Sequence, residues 1–262
     1  MIAVASDSIA ASVRASLAIY LFANVILNYS LNSVFEILNG VVFGVPVLLI
    51  GMYIATKKGS TVVYSKISLI QTLLSVGGFV LAVIFLQGDT DSIYEGLTIP
   101  IALVILVFGM YISSLGISSN LVNSMTGDLS DYEYTQSGKY IPGTIGATLT
   151  FVTKCITSVV SLITTGMMWY CFHDTEYVVE ANVYQNDKFF YCVLIGIFLF
   201  PAAGHLITYL AMLKYPLTEE KMEEVSQLVV EARAQMAKEK EDLLEKVLQE
   251  AQAQKETVDS DK

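Results

Sequence analysis

Between Pro142 and Cys171 the only charged residue is Lys154. A helix can begin at Pro142, where the missing N–H costs nothing in a first turn. Twelve residues at about 1.5 Å each then carry Lys154 roughly 18 Å along that helix, close to the middle of an apolar core about 30 Å thick. An ammonium at that depth must face protein, water or a counter-ion, and a side chain of about 6 Å is too short to reach the nearer interface. The chemistry this residue offers is electrostatic: a counter-charge for a substrate or an ion. Thr150, Thr157, Ser161 and Thr164 share its face at spacings of three and four. Such a stripe could line an aqueous cavity and bond substrate hydroxyls. Equally, its hydroxyls could satisfy themselves on carbonyls one turn back or on a neighbouring helix.

Just upstream lie Asp128, Asp131, Tyr132 and Glu133, in a polar stretch read as a hydrated loop. Asn120, Asn123 and His205 fall in or near apolar segments and are read as interhelical hydrogen bonders, with nothing adjacent to suggest a proton relay. Glu36 is placed at the outer end of a first hairpin, and Trp169 and Tyr170 in an outer interfacial belt. No catalytic constellation is visible. The two histidines, His173 and His205, are far apart, no glycine-rich loop could cradle a phosphate, and no nucleophile has an obvious base. Cys155, Cys171 and Cys192 lack paired or metal-type spacing. The reading is therefore of a protein that is not an enzyme and holds no metal or cofactor.

These residues need a membrane to position them. With 54% hydrophobic and 15% charged residues and a mean hydropathy of +0.58, the chain is too apolar for a soluble domain of 262 residues. Thirteen of its twenty-five acids and seven of its fifteen bases follow Leu217, so the net charge of -10 belongs largely to the tail. No basic patch suits a nucleic acid. Six apolar segments are expected, at about residues 9–31, 35–56, 61–87, 98–125, 142–171 and 189–213, with residues 57–60 and 88–92 as breaks. Pro46 and Pro201 fall inside the second and sixth, where each removes a helical hydrogen bond and can bend the helix. The N-terminus has no basic region of the kind a cleaved signal carries.

Lys57, Lys58, Lys66 and Lys139 mark one set of loops as inward-facing. The alternate loops, with seven acids and one lysine, would face outward. Both termini then lie in the cytoplasm of a multi-pass cell-membrane protein. Residues 1–215 form the transmembrane domain. Residues 216–262 form a charged cytoplasmic tail, a solvated helix opened by Thr218 as N-cap before Glu219 and Glu220.

The order Met125, Asp128, Asp131-Tyr132-Glu133, Ser137-Gly138-Lys139, Pro142-Gly143 and Lys154 resembles the signature of the glycoside-pentoside-hexuronide:cation symporters, the branch of the major facilitator superfamily that includes melibiose permease. Gly127 stands where that signature usually has alanine, and Tyr140-Ile141-Pro142-Gly143 replaces its basic-x-Glu-Gly element. The resemblance extends over about residues 10–225 and implies several things. The fold would be all-α, with six transmembrane helices equivalent to the C-terminal half of a twelve-helix transporter. Lys154, with Thr150, Thr153 and Thr157, would lie by the sugar and cation pocket. Asp128, Asp131, Tyr132 and Glu133 would belong to a gating loop that pairs with bases of the other half. The function implied is Na+- or H+-coupled symport of a sugar or glycoside. The cation site would lie mainly in an N-terminal six-helix half, which would be the natural partner ahead of a second copy of the chain. The alternative is an orphan half acting as a membrane scaffold, which gives no reason to hold a charge at the midplane.

Overall fold

The computed structural model describes residues 1–26, 28–87, 98–172, 187–218, 220–232 and 234–235. The protein is an all-α membrane protein with, among the described residues, six helices long and apolar enough to span a bilayer. α1 is Ile2–Tyr20, continued by a π-helical turn at Leu21–Val25. α2 is Ser30–Lys58, with a π turn at Asn39–Gly44. α3 is Ser60–Leu86, α4 Ile99–Ser137 and α5 Pro142–Phe172. α6 runs from Asp187 to Met212, with a π turn at Ile195–Leu199. The outward loops expected to carry the seven acids lie almost wholly outside the described residues, as does the tail beyond residue 235.

Several boundaries differ from the sequence reading. α1 begins at Ile2, about seven residues earlier than expected, so Asp7 and Ser8 lie within the helix. α4 does not stop near Met125. It runs for 39 residues, roughly 58 Å at the usual helical rise, to Ser137. Asp128, Asp131, Tyr132 and Glu133 are therefore on a helix and not in a loop, and the connection to α5 shrinks to residues 138–141. The physical reason is that charge ends a membrane span, whereas only loss of backbone geometry ends a helix. Nothing between 126 and 137 breaks the hydrogen-bond ladder. Gly138 does, because it adopts φ 69°, and its N–H closes on the Tyr134 carbonyl at 2.9 Å.

Pro46 and Pro201 sit inside α2 and α6 as expected, and each follows directly on a π turn. The wider i to i-5 register accommodates the donor that proline lacks. The π turns also anchor packing. Ser75 on α3 donates to the Phe198 carbonyl at 2.6 Å, and Ser113 on α4 donates to Asn39 Oδ1 at 3.0 Å. Gln71 on α3 donates to Ser118 on α4 at 2.8 Å. Lipid provides little hydrophobic drive between helices, so such bonds and close backbone approach hold the bundle together.

α1 packs between α5 and α6, α3 between α4 and α6, and α2 against α4. Two halves of the bundle differ along its length. Towards the end where α1 and α2 meet, Phe22, Phe35, Phe108 and Phe198 form a chain of rings 5.3–6.4 Å apart that fills the space between four helices. Towards the basic end, which carries Lys57, Lys58 and Lys139, α1 and α6 approach closely. A Cβ on Gly204 would lie 2.7 Å from Ala10 Cβ and 2.9 Å from the Ser6 carbonyl. Ser6 and Thr208 share a 2.9 Å hydroxyl bond across the same contact.

The tail helix opens as expected at Thr218, whose hydroxyl accepts from the Lys221 N–H at 3.4 Å. It is less solvated than the sequence suggested. Leu217, Val225 and Val229 are buried, Thr61 donates to the Leu217 carbonyl at 3.3 Å, and Lys221 Nζ lies 5.3 Å over the Tyr132 ring. The extension of α4 past the apolar core supplies the surface that this helix covers.

Candidate functional site

A cavity of about 720 Å3 opens in the basic half of the bundle, between α1, α4 and α5. α1 contributes Val4, Asp7, Ser8, Ala11, Ser12 and Arg14. From α4 come Leu115, Gly116, Ser119, Val122, Asn123 and Thr126, and from α5 Gly146, Leu149, Thr150, Thr153 and Lys154. The volume suits one or two sugar rings, within the usual range of small-molecule sites. Each helix contributes one face. On α1 the lining recurs at 4, 7, 8, 11, 12 and 14, and on α5 at 146, 149, 150, 153 and 154, both the period of a helix side.

Lys154 lies at the deep end of the α5 face, about three turns in from Pro142. Its side chain is exposed in the isolated chain and forms no ion pair among the described residues. Thr150 and Thr153 also face the cavity. Their hydroxyls donate to the Gly146 and Leu149 carbonyls at 2.9 Å, which leaves an oxygen lone pair on each for a ligand donor. Thr157 is on the same helix but outside the lining, with its hydroxyl on the Thr153 carbonyl at 3.0 Å. Ser161 and Thr164 likewise bond carbonyls of their own helix. The hydroxyl stripe is thus satisfied one turn back along its whole length, and only its first part reaches the cavity.

Opposite, α1 supplies what the sequence reading missed. Asp7 and Arg14 are seven residues apart, two turns along one face, and both line the cavity. Arg14 is mostly buried, and its Nε has no hydrogen-bond partner among the described residues. A buried donor of that kind costs free energy unless something completes it. The signal for both was present in the sequence. They are ionisable residues at helical spacing in a segment otherwise uncharged to Tyr20, but a first span beginning at about residue 9 leaves Asp7 outside it and Arg14 near its start.

Behind Asp7 lies His205, fully buried on α6. Its Nδ1 is 2.7 Å from Asp7 Oδ1, and its Nε2 is 2.9 Å from the Tyr111 hydroxyl of α4. A carboxylate only accepts, so in the neutral ring Nδ1 carries the proton and Nε2 accepts from Tyr111. His205 is an interhelical hydrogen bonder, as expected, though with an ionisable partner that the sequence did not suggest. Asn120 instead bonds the Gly116 carbonyl of its own helix at 2.8 Å, and Asn123 faces the cavity.

The four residues expected as a gating loop lie on the extended end of α4, away from the cavity lining. Asp128 and Asp131 are close enough to repel. Burial, reinforced by Asp128, raises the Tyr215 phenol above its ordinary range at the start of the tail. Among the described residues no group of three or more His, Cys, Asp or Glu side chains could hold a metal ion.

A six-helix membrane bundle with a cavity of opposed charges and hydroxyls is the architecture of a solute transporter. The chain belongs to the MFS/sugar transport protein family, which it matches over residues 1–219. The match covers all six helices and ends where the tail helix begins. Neither a curated protein nor a solved structure matches the chain. The protein is therefore a multi-pass membrane protein of sugar transport, with a sugar as substrate and the bilayer as its solvent.

Proposed function

We propose that the chain is the equivalent of the C-terminal half of a cation-coupled sugar symporter of the melibiose permease type, carrying one wall of a pocket at the middle of the membrane. The observation that carries this reading is the cavity itself. Asp7, Arg14 and Lys154 place both signs of charge around a space lined by Ser8, Ser12, Ser119, Asn123, Thr150 and Thr153. Paired acceptors and donors of this kind suit the adjacent hydroxyls of a sugar. Lys154 also faces outward from the bundle, as a residue shared with a second wall would. A lysine against lipid at that depth would be costly, so the second wall is an N-terminal six-helix half. Two copies of this chain would instead set lysine against lysine.

In this reading both termini, with residues 138–141, are cytoplasmic, residues 216–262 form a tail domain, and the cavity opens inward. The acids Asp128, Asp131 and Glu133, with Tyr132, then project from α4 where they can pair with bases of the other half as the inner side closes. Coupling to Na+ or H+ drives the rocking of one half against the other.

The test is reconstitution in proteoliposomes with labelled sugars and an imposed Na+ or proton gradient. The chain should take up little sugar alone and should do so once an N-terminal half is supplied. Robust driven uptake by the chain alone would refute the half-transporter reading. Cysteines introduced at Asp91 and Asn182 should react with an impermeant thiol reagent in intact cells and one at Ser137 should not; the reverse pattern would overturn the orientation.

A further inference from the structure

Asp7 connects two environments. Its carboxylate lines the cavity, and it is also bonded to His205, which is fully buried and reaches on to the Tyr111 hydroxyl. The three residues come from α1, α6 and α4, so the chain of bonds crosses the bundle from the cavity wall to its core. Its side-chain exposure falls from 14% at Asp7 to none at His205. A carboxylate and an imidazole placed together in a membrane domain are expensive unless they are used. A purely structural clasp between these helices needs neither group, since Ser6 and Thr208 already supply a neutral one beside it.

We propose that Asp7 and His205, with Tyr111, form a proton-binding site of this half, loaded from the cavity. This rests on the symport reading only for its role in coupling; the binding itself does not. The geometry selects the proton among cations. The 2.7 Å between Nδ1 and Oδ1 has room for a hydrogen and none for a metal ion. A sodium ion also needs several oxygens around it, and here the groups at hand are one carboxylate, one ring and two phenols, Tyr111 and Tyr64. Loading is balanced simply. In the unloaded pair the ring is neutral with its proton on Nδ1, Asp7 is ionised, and the charge is -1. One proton arriving through the cavity is shared by the pair, which becomes neutral overall, and leaves by the same route.

Charged and titratable groups surround the pair on every side. Arg14 is on α1 itself, Tyr64 on α3 with its buried hydroxyl, Tyr111 on α4, and Lys154 across the cavity on α5; Glu36 on α2 acts on Arg14. The loss of one net negative charge from the pair on loading alters the field felt by Arg14 and Lys154. Those are the two cations best placed to hold a sugar, so proton and sugar occupancy are linked through the cavity.

The experiment uses the full chain in lipid nanodiscs. His173→Gln leaves His205 as the single histidine, and its ring nitrogens are labelled with 15N. Between about pH 4 and 10, the ring signals should move through one protonation step that belongs to the coupled pair. Asp7→Asn should shift its midpoint by about one unit or more, a tenfold change in proton affinity, while exchanging K+ for Na+ should leave it unmoved. Ring nitrogens that stay constant over the whole range would overturn the site, as would a midpoint indifferent to Asp7→Asn or proton release caused by Na+. The linked uptake assay separates this proposal from the one before it. Titration without gradient-driven sugar uptake by the complete transporter refutes symport alone; driven uptake with a silent pair refutes the proton site alone.

Discussion

α5 and α6 each carry one ionisable residue well inside the membrane, and the two are treated in opposite ways. Lys154 sits on a helix whose apolar window is only 11% buried, in the open, with no ion-pair partner among the described residues. His205 sits on a helix whose window is 50% buried, with no exposure and a partner on each ring nitrogen. The first is a charge that this bundle leaves without a partner among the described residues. The second is a polar ring whose hydrogen bonds the bundle itself completes. Intramembrane polarity therefore marks two different things here, and helix burial distinguishes them.

Substitution should separate the two most sharply in transport. Lys154→Ala in a complete, active assembly should abolish coupled uptake while leaving insertion and folding intact, measured as gradient-driven accumulation against membrane protein level. Normal sugar affinity and normal cation dependence in that variant would return Lys154 to a structural role and collapse the comparison.

Stability should show the reverse order. His205→Ala leaves Asp7 without its partner and opens space in the core, so it should cost about 3 kcal/mol, as breaking a buried pair does. Lys154→Ala, on an exposed face, should stay within about 0.5 kcal/mol. Denaturant unfolding followed in detergent micelles would measure both, and equal losses would show that exposure in the isolated chain misrepresents α5.

A smaller effect is expected beside His205. Gly204→Ala brings a methyl against Ala10 Cβ and the Ser6 carbonyl, neither of which can rotate away. Overpacking of this kind should cost about 1–3 kcal/mol and loosen the Ser6–Thr208 bond. A neutral result in the same unfolding assay would mean that the contact between α1 and α6 gives way at Gly204 without cost.

The smallest effects sharpen the α5 side. Thr150→Val and Thr153→Val remove hydroxyls that face the cavity and should each raise the sugar KM several-fold, in keeping with about 1 kcal/mol for a net hydrogen bond. Thr157→Val, one turn beyond the lining, should leave KM unchanged. Equal effects at all three would mean that the stripe acts through helix geometry and not through contact.

Much of the architecture was legible because membrane insertion is governed by local composition. Six apolar runs, prolines at the starts of α4 and α5, and the N-cap at Thr218 follow from residues within a few positions of one another. Lys154 was legible for the same reason: depth along a helix is arithmetic from its first turn. The end of α4 was not, because charge ends a span and not a helix, and the stop lay at Gly138.

The pairing of Asp7 with His205, 198 positions away, could be decided only by the tertiary structure. In the sequence Asp7 precedes the first expected span and His205 is a ring with nothing adjacent to it. The packing of α1 against α6 desolvates both, and each then supplies the partner the other requires. The same holds for the cavity. Each helix shows a polar face by its own periodicity, but the sequence is indifferent to which faces converge. The contact of α1 with α5 brings Asp7 and Arg14 opposite Lys154, and so turns three separate charges into one site.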